Sequence, residues 1–297
     1  MMMWDQAEKL RKMVQSKSIN KKSSVIKSNS SNARVITVTS GKGGVGKTNF
    51  TVNLALALAK LGQRVLVIDA DLGMGNVDVI LGCSAQYNIL HLLEGGFSLV
   101  DIITDGPRGI KFMSGGSGIY NLANLDDLQL TRIVNKIALL DDLADIILID
   151  TGAGINKSVM NFVVAADEVI IVTTPEPTAI TDAYAMMKTF ANQSGTAALK
   201  LVINRVIEAE EGNIAADKLT KVSLQFLGLS ISCLGFVYED GNLVKAVKKQ
   251  TPLLLAFPNT SSARCIEQIA NRLLNGNGTI TKVGVRGFFN KLLGLMR

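Results

Sequence analysis

Cysteine, histidine and aromatic residues are scarce in this chain of 297 residues, which has three cysteines, one histidine and 5% Phe, Trp and Tyr together. Cys83, Cys233 and Cys265 lie far apart with no C-x-x-C pair, so the spacing supports neither a disulfide framework nor an iron–sulfur or zinc site. With His91 alone, catalysis by a histidine base beside a second histidine ligand is excluded, and His91 reads as an ordinary, partly buried residue. Long apolar runs are missing too. The uncharged stretch Thr48 to Ala59 is twelve residues long, whereas a membrane-spanning helix needs about 20. The amino terminus lacks the apolar core of a secretion signal, because Asp5, Glu8, Lys9, Arg11 and Lys12 crowd it. A cytoplasmic protein is expected, and no internal repeat is visible.

What the chain does have is an uneven charge. The formal total is +6. Residues 1–34 carry eight Lys and Arg against two acids, residues 282–297 carry four bases and no acid, and the stretch 35–281 is left at −4. Residues 15–33 hold seven serines and four lysines among nineteen positions. Such a segment buries too little surface to offset its ordering entropy and reads as a flexible linker. It sets off a head, residues 1–14, in which Trp4, Ala7, Leu10 and Val14 recur at helical spacing. At about eleven residues that helix is too short to stand alone, so it is expected to fold on a partner.

From Arg34 onward, strand and helix patterns alternate. Apolar strands are predicted near Val35 to Thr39, Arg64 to Asp69, Ile110 to Met113, Ile146 to Asp150, Val169 to Thr173, Leu201 to Asn204 and Ile231 to Val237, with helical patterns between them. Near-continuous apolar strands mean burial on both faces, the mark of a parallel sheet covered by helices. The expected fold is α/β, a single doubly wound and mostly parallel sheet over residues 34–275. In such a sheet the ligand lies outside the carboxyl ends of the strands.

The segment Gly41-Lys42-Gly43-Gly44-Val45-Gly46-Lys47-Thr48, followed by Asn49, comes after the first strand and opens the first helix. It fits G-x-x-x-x-G-K-[ST]: glycines let backbone N–H groups wrap phosphate oxygens, Lys47 neutralises the outer phosphates and the Thr48 hydroxyl reaches Mg²⁺. Gly41, Gly43 and Gly46 also satisfy the dinucleotide pattern G-x-G-x-x-G with Asp69 downstream, but two loop lysines suit a nucleotide triphosphate better. Asp69, Asp71 and Asp150 fall at the ends of two strands and converge on the same edge. Phosphoryl transfer to water needs a metal clamp and a group that orients the water. Asp150 suits the metal shell, Asp71 the water, and Asp69 stands beside them.

The loop KGGVGKT with its extra Lys42, the run Asp69 to Asp78 and Asp150-Thr151-Gly152-Ala153-Gly154 resemble the deviant-Walker-A ATPases of the MinD/ParA family. The resemblance implies a P-loop NTPase fold, ATP and ADP with Mg²⁺ as ligands, and an ATP-bound homodimer in which Lys42 reaches the partner's phosphates. It gives Thr48 and Asp150 to the metal, Asp71 to the hydrolytic water, and Asn204-Arg205 to the adenine. Within the family the chain is similar to the FlhG (FleN, YlxH) branch, which governs flagellar number and placement. The head DQAEKLR, Thr174 to Tyr184, and the stretches Lys245-Ala246-Val247 and Ala256-Phe257-Pro258 carry that likeness. It implies that Asp5, Gln6, Leu10 and Arg11 stimulate an FlhF-type GTPase, with Gln6 orienting its attacking water. Flagellar switch (C-ring) proteins or a flagellar transcription activator are further implied partners.

Phe288, Phe289, Leu292, Leu293 and Met296 lie on one face of a predicted helix in residues 282–297, flanked by Arg286, Lys291 and Arg297. About ten helical residues span some 15 Å, enough to lie on an anionic bilayer and too little to cross it. A reversibly peripheral position on the inner face of the cytoplasmic membrane is the expectation, with packing on the chain's own domain as the alternative. A division-site ATPase of MinD type, a ParA-type DNA-segregation ATPase and an ATP-gated docking protein are the competing functions. The head and tail argue against a specific nucleic-acid partner.

Overall fold

The computed structural model describes residues 32–71, 75–94, 96–276 and 283–297. The head, with Asp5, Gln6, Leu10 and Arg11, lies outside the described residues, as does the linker up to residue 31. Eight strands form one sheet: β1 (Arg34–Ser40), β2 (Val65–Ala70), β3 (Thr104–Asp105), β4 (Lys111–Ser114), β5 (Ile146–Ala153), β6 (Glu168–Thr173), β7 (Ala198–Val206) and β8 (Ser232–Tyr238). Their spatial order is β3-β4-β2-β5-β1-β6-β7-β8. Every pairing is parallel except β3 with β4. The order reverses around β1, which places the crevice beyond its carboxyl end, where the phosphate loop begins.

Eight helices of eight or more residues occur among the described residues: α1 (Lys47–Lys60), α2 (Asp127–Ile137), α3 (Lys157–Ala165), α4 (Pro177–Asn192), α5 (Ala209–Leu227), α6 (Gly241–Lys248), α7 (Ser261–Asn275) and α8 (Gly284–Met296). Their starts are written in the chain. Asp126 accepts from Gln129 N at 2.8 Å while Asp126 N donates to Gln129 Oε1 at 3.2 Å, a reciprocal cap for α2. Asn156 Oδ1 accepts from Val159 N at 2.9 Å and starts α3, Pro177 opens α4, and Asp240 Oδ1 accepts from Asn242 N at 2.8 Å at the start of α6.

The strands alternate their side chains between two cores. Ile36, Val38, Val67 and Leu148 face α1 and α7, while Val35, Leu66, Ile68, Ile147 and Ile149 face the layer that contains α2, α3, α4 and α5. The predicted strands and the six long helices of the body are all found, with β7 longer than the pattern suggested and the two-residue β3 added at the edge. His91 is partly buried: its Nδ1 accepts from Asn88 N at 3.1 Å, and its ring packs against Tyr87 and Phe97.

The tail departs from its expected role in this structure. Phe288, Phe289, Leu292 and Leu293 are buried in the same core as α2 and α3, and Met296 packs against it half-buried. The Phe288 ring lies 6.3 Å from that of Phe162 in α3. The reason is physical: an apolar stripe at helical spacing is taken out of water by whatever apolar surface is nearest, and α3 with α2 offers one. Arg297 adds an ion pair with Asp127 of α2 at 2.7 Å. The face read as lipid-directed is therefore covered by protein, and α8 is a layer of the domain.

Candidate nucleotide site

The phosphate loop runs from Gly41 to Thr48 between β1 and α1. Gly44 and Gly46 have φ of +81° and +86°, a conformation open to glycine at little cost. A Cβ on Gly46 would also stand 2.5 Å from Asn204 Nδ2. Gly41 serves packing, since a Cβ there would lie 2.3 Å from the Asp182 carbonyl oxygen of α4. No atom lies within 4 Å of where a Cβ would sit on Gly43 or Gly44, so the loop's concave side is clear. Val45 is buried, and its carbonyl accepts from Asn204 Nδ2 at 2.7 Å. Ser40 Oγ donates to Lys42 O at 3.0 Å, and Gly154 N donates to Ser40 O at 2.8 Å. The loop is thus braced from both neighbouring strands.

Lys47 and Asp150 are the buried centre. Lys47 Nζ lies 3.2 Å from Asp150 Oδ1, with the side chains 7% and 1% exposed. Thr51, one helical turn beyond Lys47, donates its hydroxyl to the same oxygen at 2.9 Å, and Thr48 adds another hydroxyl. Burial still pushes the Asp150 carboxyl above its ordinary range, against the pull of Lys47 and the hydroxyls. Parallel register sets Asp69 of β2 directly beside Asp150 of β5. Asp69 does something other than the metal role first assigned to it: its Oδ1 accepts from Asp71 N at 3.1 Å and its Oδ2 from Val77 N at 3.2 Å. Both oxygens are committed to fastening the segment after β2, and burial raises the Asp69 carboxyl to about 6. That segment carries Asp71, whose Oδ1 lies 3.4 Å from the position of a Cβ on Gly152. Asp71 thus stands beside the Asp150-to-Gly154 run at the mouth of the loop.

Two cavities flank the loop. One, of about 440 Å³, is lined by Gly43, Lys47, Thr48, Asp71 and Asn76. The other, of about 460 Å³, is lined on one side by Gly46, Asn49 and Asn204 and on the other by Arg205, Tyr238, Asp240 and Val244. Arg205 sits at φ +58° and its guanidinium pairs with Glu239 at 2.8 Å. Its charge is held at the rim of the second cavity. Asn49 faces both cavities, and its carbonyl accepts from Asn53 Nδ2 at 2.7 Å.

Lys42 is held outside the loop. Its Nζ donates to Glu176 Oε2 at 2.9 Å and to Thr178 Oγ1 at 2.8 Å, and the contact with Lys42 draws the Glu176 carboxyl below its usual range. Sequence reading missed Glu176, Thr178, Glu239 and Thr51 as members of the site. Only Thr51 had a signal, its four-residue spacing from Lys47. The others come from segments more than 130 residues away along the chain or from the rim after β8, and meet the loop only through the sheet order.

These residues fit a magnesium-bound nucleotide. The loop's clear concave side, a buried lysine at its base and the Thr48 hydroxyl beside Asp150 make a cradle for phosphate oxygens. No group of three or more His, Cys, Asp or Glu able to hold a metal by itself occurs among the described residues. The donor set therefore suits an ion carried in by phosphate, with Thr48 and Asp150 as the protein's share. Bound there, the ion would offset charge on the phosphates; Lys47 would turn from Asp150 toward phosphate oxygens, and Asp71 would orient a water.

An AAA-domain family profile matches residues 33–203. Over 240 residues the chain is 40% identical to antiactivator FleN of Pseudomonas aeruginosa, covering 81% of this chain and 86% of that protein. Over 271 residues it is 39% identical to the flagellum site-determining protein YlxH of Helicobacter pylori, covering 89% and 91%. The septum site-determining protein MinD of Pyrococcus horikoshii, solved with Mg-ADP, superposes with a TM-score of 0.65 at 25% identity, covering 84% of this chain and all of that one. With the loop, its additional lysine and the acids after β2 and β5 in place, the chain belongs to the MinD/ParA family of P-loop ATPases, in the branch that holds FleN and YlxH.

Proposed function

We propose that this chain is an ATP-driven switch that sets flagellar number and placement. ATP bound with Mg²⁺ joins two copies; Lys42 leaves Glu176 and Thr178 for the partner's phosphates, and slow hydrolysis through the Asp71-oriented water resets the pair. Dimerisation frees α8 to lie on an anionic membrane. One observation carries this reading: the seat of α8 is α3, and α3 begins at the segment that also meets Asp71. Phe288 packs on Phe162 of α3, whose ring is 5.7 Å from that of Tyr120. The Tyr120 hydroxyl is bonded to Ser158 in the first turn of α3. A nucleotide that moves the Gly152-to-Asn156 segment moves the floor on which the tail rests.

The same reading gives the head its task. Asp5, Gln6, Leu10 and Arg11 dock on an FlhF-type GTPase, and the flexible linker lets them reach it while the body stays on the membrane. A flagellar transcription activator is a further partner, supported by the description of FleN as an antiactivator, and switch proteins of the flagellar base are another. Sedimentation with anionic phosphatidylglycerol vesicles tests the switch. The intact chain is expected to pellet with a non-hydrolysed ATP analogue and to stay in solution with ADP, while a chain ending at Gly276 stays in solution with both. Equal pelleting of the two chains overturns it. For the head, GTP turnover by an FlhF-type protein should rise with a peptide of residues 1–20 and not with its Gln6→Ala version.

A further inference from the structure

Two carboxylates tie the tail helix to the first residues of β1. Asp141 Oδ1 accepts from Ala33 N at 2.9 Å and from Val285 N at 3.1 Å. Asp167 accepts from Val35 N on Oδ2 at 3.2 Å and from Val283 N on Oδ1 at 2.9 Å. Each carboxylate thus holds one amide from either end of the body. The backbones also touch: Gly284 has φ +69°, and a Cβ on it would stand 2.8 Å from Asn32 Cβ and Cγ. Ala33 is fully buried in the core that contains Val285 and Phe288.

The next residue is anchored without help from the tail. Arg34 places Nε and Nη2 on Glu168 at 2.7 and 2.9 Å, donates to the Leu273 carbonyl at 3.2 Å, and gives its backbone N–H to Asp145 O at 2.9 Å. Glu168 is fully buried and also meets Lys200 at 3.1 Å. The boundary between what the tail holds and what the sheet holds therefore falls between Ala33 and Arg34.

We propose that this pair of carboxylates is a clasp that couples undocking of α8 to release of the chain at Asn32 and Ala33. With α8 away, each carboxylate keeps only its β1 amide, Ala33 loses its cover, and water competes for the Asp141 bond. The segment before Arg34 then gains two residues of free length. Coupling of this kind is reciprocal, so loosening Ala33 also favours departure of α8. The clasp itself needs neither lipid nor nucleotide. On the function proposed above, on which this consequence rests, lipid capture of the tail and presentation of the amino-terminal segment become one event.

Residue-resolved hydrogen exchange on the intact chain, without nucleotide or vesicles, tests the clasp against three variants: a chain ending at Gly276, Gly284→Ala and Asp141→Ala. Loss of one hydrogen bond's net worth corresponds to roughly tenfold. The Ala33 amide is expected to exchange at least that much faster in the shortened chain, with Arg34 and Ile36 unchanged. Gly284→Ala should move Ala33 in the same direction, and Asp141→Ala should speed exchange at Val285. Unchanged Ala33 protection in the shortened chain, or loss of protection along all of β1, overturns the clasp. If the shortened chain does not fold, the two full-length variants decide: no change at Ala33 in the first and at Val285 in the second refutes it. Failure of the vesicle experiment leaves this test untouched, so the two ideas fail separately.

Discussion

Replacing Lys47 by alanine strands the carboxylate of Asp150. In the nucleotide-free protein that carboxylate is 1% exposed and receives Lys47 Nζ at 3.2 Å, with the Thr51 and Thr48 hydroxyls as its remaining partners. Removing one member of a buried ion pair costs about 3–5 kcal/mol, because the other is left uncompensated. Two hydroxyl donors soften the loss, so Lys47→Ala is expected near the lower end, at about 3 kcal/mol. If the cost comes from the stranded charge, removing the charge returns part of it. Lys47→Ala with Asp150→Asn should then be more stable than Lys47→Ala alone by about 1–3 kcal/mol. Urea unfolding at neutral pH with EDTA and no nucleotide measures both.

A pH series adds a sign. The folded-state pKa of Asp150 is raised by burial, so its burial costs nothing below the ordinary carboxylate range and most above the raised value. Lys47→Ala removes the positive partner and raises it further, so that variant's deficit should shrink on acidification. A double variant no more stable than Lys47→Ala, or a deficit indifferent to pH, would refute the reasoning. A practical consequence follows for activity work: loss of ATP turnover in Lys47→Ala mixes lost phosphate contacts with a weakened fold.

Other outcomes are open to direct measurement. Asp69 is raised to about 6, so stability without nucleotide and metal should fall as pH rises from about 4 to about 6 and level off above; Asp69→Asn should remove up to about 3 kcal/mol of that slope in urea titrations at stepped pH. Phe288 is 1% exposed, and Phe288→Ala should cost about 3–5 kcal/mol by urea unfolding, in contrast to a lipid-facing residue, whose loss would leave the soluble fold untouched. Lys42→Ala should abolish dimers seen by light scattering with a non-hydrolysed ATP analogue, whereas Glu176→Ala, which only frees Lys42, should leave the urea midpoint unchanged and favour them. Asn204→Ala removes the brace on Val45 and should weaken nucleotide affinity by roughly tenfold in a fluorescence titration, given the worth of one buried hydrogen bond.

The parts of the site that were legible in the sequence are those whose chemistry is local. Gly44 to Thr48 form the cradle because a strand, a glycine loop and a helix follow one another within a few residues. Asp71 and Asp150 were found because each ends an apolar run. The tail's apolar face was equally visible, but a pattern at helical spacing says that a face will be covered without naming the cover. Here α2 and α3 provide it, so the residues read as lipid-directed are core. Asp69 was misassigned for a related reason: composition places an acid at the strand end, while its destination depends on how the chain turns after Ala70, bringing the Asp71 and Val77 amides to it. Glu176 and Thr178 were hidden by distance along the chain. They reach Lys42 because β6 lies next to β1, which only the sheet order reveals.

The close approach of Gly41 to the Asp182 carbonyl has a kinetic consequence. With no room for even a methyl group between them, the phosphate loop and α4 move as one piece, and Glu176 and Thr178 at the head of α4 travel with the lysine they hold. Backbone motion therefore does not free Lys42; rotation about its own side-chain bonds does. For a side chain this exposed, such rotations take picoseconds to nanoseconds. In the ATP-driven pairing proposed here, the lysine is never the slow component: the rate of switching belongs to the meeting of two chains and the departure of α8.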